Sequence, residues 1–306
     1  MHYCIYELTI YFHKKGVTKI LKMLWEKIKT ILELIKIEHS IFALPYAYAG
    51  AFFAEHRVPS FNKLFWITLA MISARTTGML FNRLIDRFID AKNSRTCQRI
   101  FLFTKITPFQ VKIIIVISIF LLLFSAFKLN LLCFYLCPLS IILLWSYSYF
   151  KRFSSLSHIF LGIVESCAPI GGWIAITGKF ALPPFILGSV IIFWIAGMDI
   201  IYSTLDYEFD KKNFLFSLPA KLGIKKSLKI SGLFHFFCLF LLGLFIYLLD
   251  LKIFKISLFF IAGLLIYEHF LARKQKIESI NKSFFAINAF ISMIIFLFSL
   301  LEVIEK

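Results

Sequence analysis

Acidic side chains are scarce in this chain: 17 Asp and Glu stand against 34 Lys and Arg, for a net charge of +17. Charged residues of both signs make up only 17% and apolar residues 60%, whereas a soluble domain carries about a quarter charged and near half apolar. A soluble globular enzyme is excluded, and a membrane protein is implied. The six cysteines (Cys4, Cys97, Cys133, Cys137, Cys167 and Cys238) show no CxxC spacing, and most lie in apolar runs, which argues against a disulfide framework or a metal knuckle. No GxxxxGK pattern is present, so a P-loop is excluded. The start lacks a short positive, apolar and small-residue cleavage pattern and is not read as a signal peptide.

Nine apolar runs approach or exceed the roughly 20 residues a helix needs to cross hydrocarbon. They lie at 40–56, 64–82, 109–127, 131–149, 159–178, 182–202, 230–249, 256–272 and 284–301. The break between the fifth and sixth rests on Lys179 and the Pro183 and Pro184 pair. Before them, residues 14–36 combine seven lysines with Ile, Leu, Met and Trp25, which reads as a basic interfacial helix or as a charged leader to the first span. The chain thus divides into a basic segment over 1–38 and a membrane domain over 39–306. With the N-terminus inside, 25 of the 34 Lys and Arg fall on its side of the membrane and seven on the other. That asymmetry predicts an inner-membrane protein with a cytoplasmic N-terminus and an outward C-terminus. Topology and the anionic inner leaflet account for the positive charge, so the lipid bilayer is an expected partner and nucleic acid is not.

The few acids are concentrated. Six of the 17 lie in two stretches, 82–90 and 199–210, at the ends of apolar segments and on the predicted cytoplasmic side. On a helix, Arg75, Met79, Asn82, Asp86 and Asp90 share one slowly drifting face. Arg75, about seven residues inside the membrane from Asn82, must then line a polar cavity, where it would grip a phosphate or a substrate carboxylate. Asp86 and Asp90, one turn apart, can reach a shared divalent ion or two neighbouring ions, with Asn82 adding a neutral oxygen. Oxygen ligands of this kind suit Mg2+ bridged to substrate phosphates. Taken alone, the stretch also permits simple pairing of Asp86 and Asp90 with Arg83, Arg87 and Arg95 at the membrane rim.

Asp199, Tyr202, Asp206 and Asp210 repeat the arrangement on a second helical face, with the Tyr202 hydroxyl between the carboxylates. Unpaired, such carboxylates repel one another; magnesium together with a diphosphate completes the charge balance. Arg87, Arg95, Arg99, Lys211 and Lys212 are rim cations able to neutralise phosphate oxygens. A diphosphate on a long lipid fits, its head at the cytoplasmic edge and its chain along apolar helices.

At these residues the chain resembles the UbiA superfamily of intramembrane prenyltransferases. Signatures of the type NRxxDxxxD and DxxYxxxD appear as Asn82, Arg83, Asp86 and Asp90, and as Asp199, Tyr202 and Asp206. The likeness continues through Asp90 to Thr96 and Tyr149 to Arg152, and runs from about His39 to the C-terminus. Lys36 to Pro45, His158, Leu161 and Gly162, Ala168 to Trp173, and Ser217 to Ala220 are similar to the 4-hydroxybenzoate polyprenyltransferase branch and to its relatives in futalosine-route menaquinone synthesis. Where the family usually carries Pro and Gly after the arginine at Arg99, this chain has Ile100, Phe101, Leu102 and Phe103.

The resemblance implies an all-α membrane protein of nine transmembrane helices in two bundles around a central cavity. It implies magnesium-dependent transfer of a polyprenyl chain from an allylic diphosphate to a small aromatic carboxylic acid in quinone synthesis, either 4-hydroxybenzoate or a dihydroxynaphthoate. Asp86, Asp90, Asp199, Tyr202 and Asp206 would be the catalytic group. Asn82, Asp86 and Asp90 would hold one ion, and Asp199, Asp206 and Asp210 the other. Tyr202 would meet a phosphate oxygen or the allylic cation, Arg75 would orient the acceptor's carboxylate or contact the diphosphate, and Asp206 or the released diphosphate would take the ring proton. His39 and His158 read as interfacial hydrogen-bonding residues, and Gly171, Gly172 and Gly188 as permitting close helix packing. The competing class is a transporter whose acidic clusters bind a coupling cation. It is disfavoured because both clusters lie at the rim, not the midplane, and are interleaved with basic residues.

Overall fold

A computed structural model of the chain describes residues 22, 25–98, 105–274 and 277–305, without the side chains of 37–42 and 277–283. Its elements are α1 (Ile37–Glu55), α2 (Phe61–Lys92), α3 (Pro108–Leu129), α4 (Leu131–Phe150), α5 (Ser157–Thr177), α6 (Leu182–Ser203), a 3-10 turn (Thr204–Asp206), two short helices α7 (Tyr207–Lys212) and α8 (Leu218–Leu222), then α9 (Ile224–Leu249), α10 (Lys255–Arg273) and α11 (Ile277–Ile304). Eight helices among the described residues, α2 to α6 and α9 to α11, are long and apolar enough to cross a membrane. They coincide with the last eight predicted spans, and the run at 40–56 folds as the 19-residue α1. Of the expected basic helix over 14–36, residues 25–35 are helical and Lys36 breaks them from α1 with a left-handed backbone (φ 50). Most of the remainder lies outside the described residues, as do Arg99 to Phe103.

Local chemistry sets the helix ends. Thr107 and Gln110 form a reciprocal capping box ahead of α3, with Pro108 at its start. Asn130 caps α4 by accepting from the Cys133 amide (2.9 Å), and its own amide donates to the Ile174 carbonyl (2.8 Å), tying α4 to the end of α5. The break between α5 and α6 uses Gly178, in the left-handed conformation at φ 62, before the prolines that open α6.

Consecutive long helices pack side by side, α6 meeting α9 across the short helices, and α11 returns to pack on α1, so the helices close into a ring. Across it runs an extensive contact between α1 and α5. The sequence explains how close it is: a Cβ on Gly172 would lie 2.1 Å from the Ala47 carbonyl oxygen, and one on Gly50 would lie 2.1 Å from that of Pro169. Backbone touches backbone, as small residues permit in membranes. Gly188 has a related role, its Cβ position lying 2.7 Å from the Ile170 side chain, but Gly171 meets nothing within 4 Å. The packing role expected of Gly171 is therefore not one it fills. On the far side, the buried Glu302 of α11 accepts from the amides of Lys252 (3.2 Å), Ile253 (2.7 Å) and Phe254 (2.8 Å), anchoring the start of α10.

The length of α2 positions the site. Its 32 residues extend about 48 Å, against roughly 30 Å of hydrocarbon. The surplus is long enough for Asn82 to Lys92 to stand beyond an apolar layer that still contains Arg75.

Candidate active site

The first acidic face stands on the C-terminal end of α2. Asn82 donates to Asp86 Oδ2 (2.7 Å), and the neighbouring Arg83 donates to Asn82 Oδ1 (3.2 Å) while lying 4.0 Å from Asp90 Oδ2. Arg152, just past α4, donates from Nη2 to both the Ile85 carbonyl (2.7 Å) and Asp86 Oδ1 (3.1 Å). Of the rim pairings considered from sequence, that of Arg83 with Asp90 is present among the described residues, at 4.0 Å.

The second face is not one regular helix. The Ser203 and Thr204 hydroxyls bond back to the carbonyls of Ile200 (2.8 Å) and Ile201 (2.7 Å), competing with the helical pattern. The backbone tightens into the 3-10 turn before α7 resumes. Asp206 and Asp210 are buried as a result, and Asp199 stays half-exposed. His158 Nε2 accepts the Leu218 amide (3.1 Å), so its proton sits on Nδ1 and is donated to Asp199 Oδ2 (2.7 Å). His158 is a buried positioning residue for Asp199, more specific than the interfacial role expected of it.

Cations knit the two faces together. Arg95 donates from Nε to Asp206 Oδ1 (2.9 Å), from Nη2 to Asp206 Oδ2, and from Nη1 to the Tyr202 hydroxyl (2.6 Å), its guanidinium 4.8 Å from the Tyr202 ring centre. Asn93 donates to the same Asp206 Oδ1 (2.9 Å). Burial by itself would lower the Arg95 pKa, but the fork to Asp206 and its charge raise it above the ordinary guanidinium value. Lys151 Nζ lies 3.0 Å from Asp210 Oδ1. Adjacent residues Lys151 and Arg152 therefore reach one face each, and Cα atoms of neighbours are only about 3.8 Å apart. Among the described residues, no three His, Cys, Asp or Glu side chains gather closely enough to bind a metal ion by themselves; the acids are joined through their basic partners. Arg87 lies over the Phe88 ring, Lys211 stands near the Tyr207 ring, and Lys212 is exposed. None of these three forms an ion pair with the acids among the described residues, unlike the rim role expected of them, and Arg99 lies outside those residues. Lys151, Arg152, Asn93 and His158 fill the places that sequence reasoning gave to the other cations.

Beneath this cap lies an apolar cavity of about 520 Å³ between α1, α2, α3, α4, α5 and α6, with Phe285 and Asn288 of α11 completing its wall. Its wall reaches Met79 and Met198, three residues before Asn82 and one before Asp199. Arg75 enters it as predicted, but not alone: Nη1 donates to Glu165 Oε1 (2.6 Å), whose Oε2 accepts from the Tyr46 hydroxyl (2.7 Å). Tyr147 also lines this polar end. Glu165 was not anticipated, although a lone carboxylate in an apolar run carries the same signal as Arg75.

The profile of the UbiA prenyltransferase family matches residues 43–294. The chain belongs to that family. A UbiA relative, the 4-hydroxybenzoate octaprenyltransferase of Tolumonas auensis, is 26% identical over 269 residues, covering 88% of this chain and 91% of the relative. The apo structure of a UbiA homologue from Aeropyrum pernix K1 aligns with a TM-score of 0.79 at 28% identity, over 86% of this chain and 97% of that one. A UbiA homologue from Archaeoglobus fulgidus bound to DMAPP and Mg2+ shares the fold, with a TM-score of 0.68 at 21% identity over 88% and 98%. The likeness to the 4-hydroxybenzoate polyprenyltransferase branch read from the sequence therefore holds.

Proposed function

We propose that this chain transfers a polyprenyl chain from an allylic diphosphate to an aromatic acid, with 4-hydroxybenzoate as acceptor, in a magnesium-dependent reaction on the cytoplasmic side of the inner membrane. The observation that carries this reading is a juxtaposition: acidic and basic groups interlock at one end of α2 and α6, and an apolar cavity of about 520 Å³ reaches Met79 and Met198 beside them. A charged head is accommodated at the cap and an isoprenoid chain in the cavity. In this reading α1 is a ninth span, the contact between α1 and α5 divides the ring into two bundles, and residues 39–306 form the catalytic domain.

The residues present fit magnesium. All six proposed ligands, Asn82, Asp86, Asp90, Asp199, Asp206 and Asp210, offer hard oxygen donors, and each carboxylate already has a positive or hydrogen-bonding partner that an ion could relieve. When bound, the metal supplies positive charge against the negative charge that develops on the departing diphosphate. The chain's own groups do the rest. Arg95, Lys151 and Arg152 stand where phosphate oxygens can exchange for carboxylates as their partners. The apolar walls keep water from the allylic cation. Arg75 and Tyr147 orient the acceptor's polar end, so that a ring carbon ortho to the phenol attacks. Both Asp206 oxygens are engaged by Arg95 and Asn93, which favours the departing diphosphate as acceptor of the ring proton.

Purified full-length protein supplied with a polyprenyl diphosphate, 4-hydroxybenzoate and magnesium should release diphosphate and form the prenylated ring, and chelation should stop it. Asp86→Ala should lower turnover at least a thousandfold while leaving a folded, inserted protein. Near-normal rates in D86A, or no prenylated product from any aromatic acid, would remove this reading.

A further inference from the structure

The acceptor end of the cavity holds a feature that the transfer reaction does not require. Arg75 lies on α2, Glu165 on α5 and Tyr46 on α1, and the three are locked by the 2.6 Å ion pair and the 2.7 Å hydrogen bond. The side chains of Arg75 and Glu165 are 22% and 14% exposed, opening only onto a cavity otherwise walled mainly by Ala, Leu, Ile and Met. Charge in such surroundings is dear, and a guanidinium meant to capture an anionic substrate would be expected to wait with its charge unspent.

We propose that Glu165 is a specificity-determining residue that neutralises Arg75 in advance, so that the pocket recognises an acceptor's polar oxygens and not its negative charge. This rests on the reading of the cavity as the acceptor site. A carboxylate entering beside the pair is drawn by Arg75 and repelled by Glu165 at comparable range, and the two effects largely cancel. Hydrogen-bonding capacity survives the cancellation: among the described residues Glu165 engages only Nη1 of the guanidinium, although the unpartnered Nε is itself buried and out of a ligand's reach. The Tyr147 hydroxyl on the same wall adds a further donor. The acceptor class is therefore phenols bearing a polar oxygen group at the far end of the ring, charged or not.

The magnitude makes this testable. One uncompensated charge about 4 Å away at the effective dielectric of a protein changes affinity by roughly three orders of magnitude. Removing the charge of Glu165 should therefore produce strong preference for the anion. The measurement is the ratio of kcat/KM for 4-hydroxybenzoate to that for its uncharged amide, 4-hydroxybenzamide, with the same prenyl diphosphate and magnesium. In the wild type the ratio should be within about tenfold of one. E165Q keeps an oxygen for Arg75 and the shape of the side chain but loses the charge, and should raise the ratio at least tenfold. E165D keeps the charge and should return it toward the wild-type value, a pattern that loss of packing alone would not produce. A wild-type ratio above a hundredfold overturns the proposal even if E165Q fails to fold, as does an unchanged ratio in an active E165Q. Failure of the wild type to prenylate either compound sinks the acceptor site itself, and the proposal with it.

Discussion

Arg95, just past α2, ties the end of that helix to the second acidic face through Asp206 and Tyr202, and its removal gives a calculable result. Its fork grips Asp206, and the two side chains are 21% and 8% exposed. Deleting one member of a buried pair costs roughly 3–5 kcal/mol. Water can enter the space that a partly exposed arginine vacates, so R95A should cost about 2–3 kcal/mol. Asp206 would keep the Asn93 amide, 2.9 Å away. D206N strands a guanidinium that still has the Tyr202 hydroxyl and ring, and should cost about 1–2 kcal/mol. Because each loss already includes the broken pair, R95A/D206N should cost little more than R95A, a coupling of about 1.5 kcal/mol. At about 2 °C per kcal/mol for a chain of this size, R95A melts some 4–6 °C low. Thermal unfolding in detergent can be followed with a thiol-reactive dye, since Cys137 and Cys238 are only 4% and 2% exposed. R95K should fall between wild type and R95A, because an ammonium restores charge without the fork. Strict additivity, within about 0.5 kcal/mol, would mean that the clamp is not a coupled unit and does not hold the end of α2 to the second face.

Two further substitutions test the scaffold. G172A should lower the melting temperature sharply or prevent folding, since its new methyl must push α5 away from the Ala47 carbonyl 2.1 Å distant, whereas G171A, with nothing within 4 Å, should melt within about 1 °C of wild type; equal effects would show that α1 and α5 are not in backbone contact. E302A strips the carboxylate from three amides at the start of α10 and should cost about 1–3 kcal/mol while the activity per folded molecule is retained, which a parallel melt and turnover assay would check.

Much of the scaffold was legible because membrane spans are written as composition. An apolar run of sufficient length has few folds open to it, and the run at 131–149 became α4 at Leu131–Phe150 with little adjustment. The metal-type motifs were legible because Asp86 and Asp206 are expensive where they stand and recur in register. What stayed hidden were partnerships between distant residues. Lys151 and Arg152 counted only toward topology and family likeness, yet each neutralises a carboxylate about sixty residues away in sequence. Nothing local could reveal that, because their reach depends on how the ring closes. Glu165 is the instructive omission: the reasoning that placed Arg75 in a polar cavity applies equally to it, and two opposite charges isolated at similar depth in different spans are candidates for each other. The 3-10 turn at Thr204–Asp206 was missed for a different reason, since a helical wheel cannot show hydroxyls bonding back to the carbonyls beneath them.

Because α11 packs on α1, the nascent chain cannot be completed in the order in which it is made. Until α11 is in place, the flank of α1 that it covers lies open. Contacts are spread along α11: Asn288 supplies the oxygen for the Trp194 indole at 2.9 Å and the amide for Glu268 at 2.8 Å, and Glu302 holds the start of α10. A chain cut before α11 would thus leave polar groups in and beside α6 and α10 without their partners. Quality control at the membrane would meet it as an open horseshoe, not as a slightly shortened enzyme.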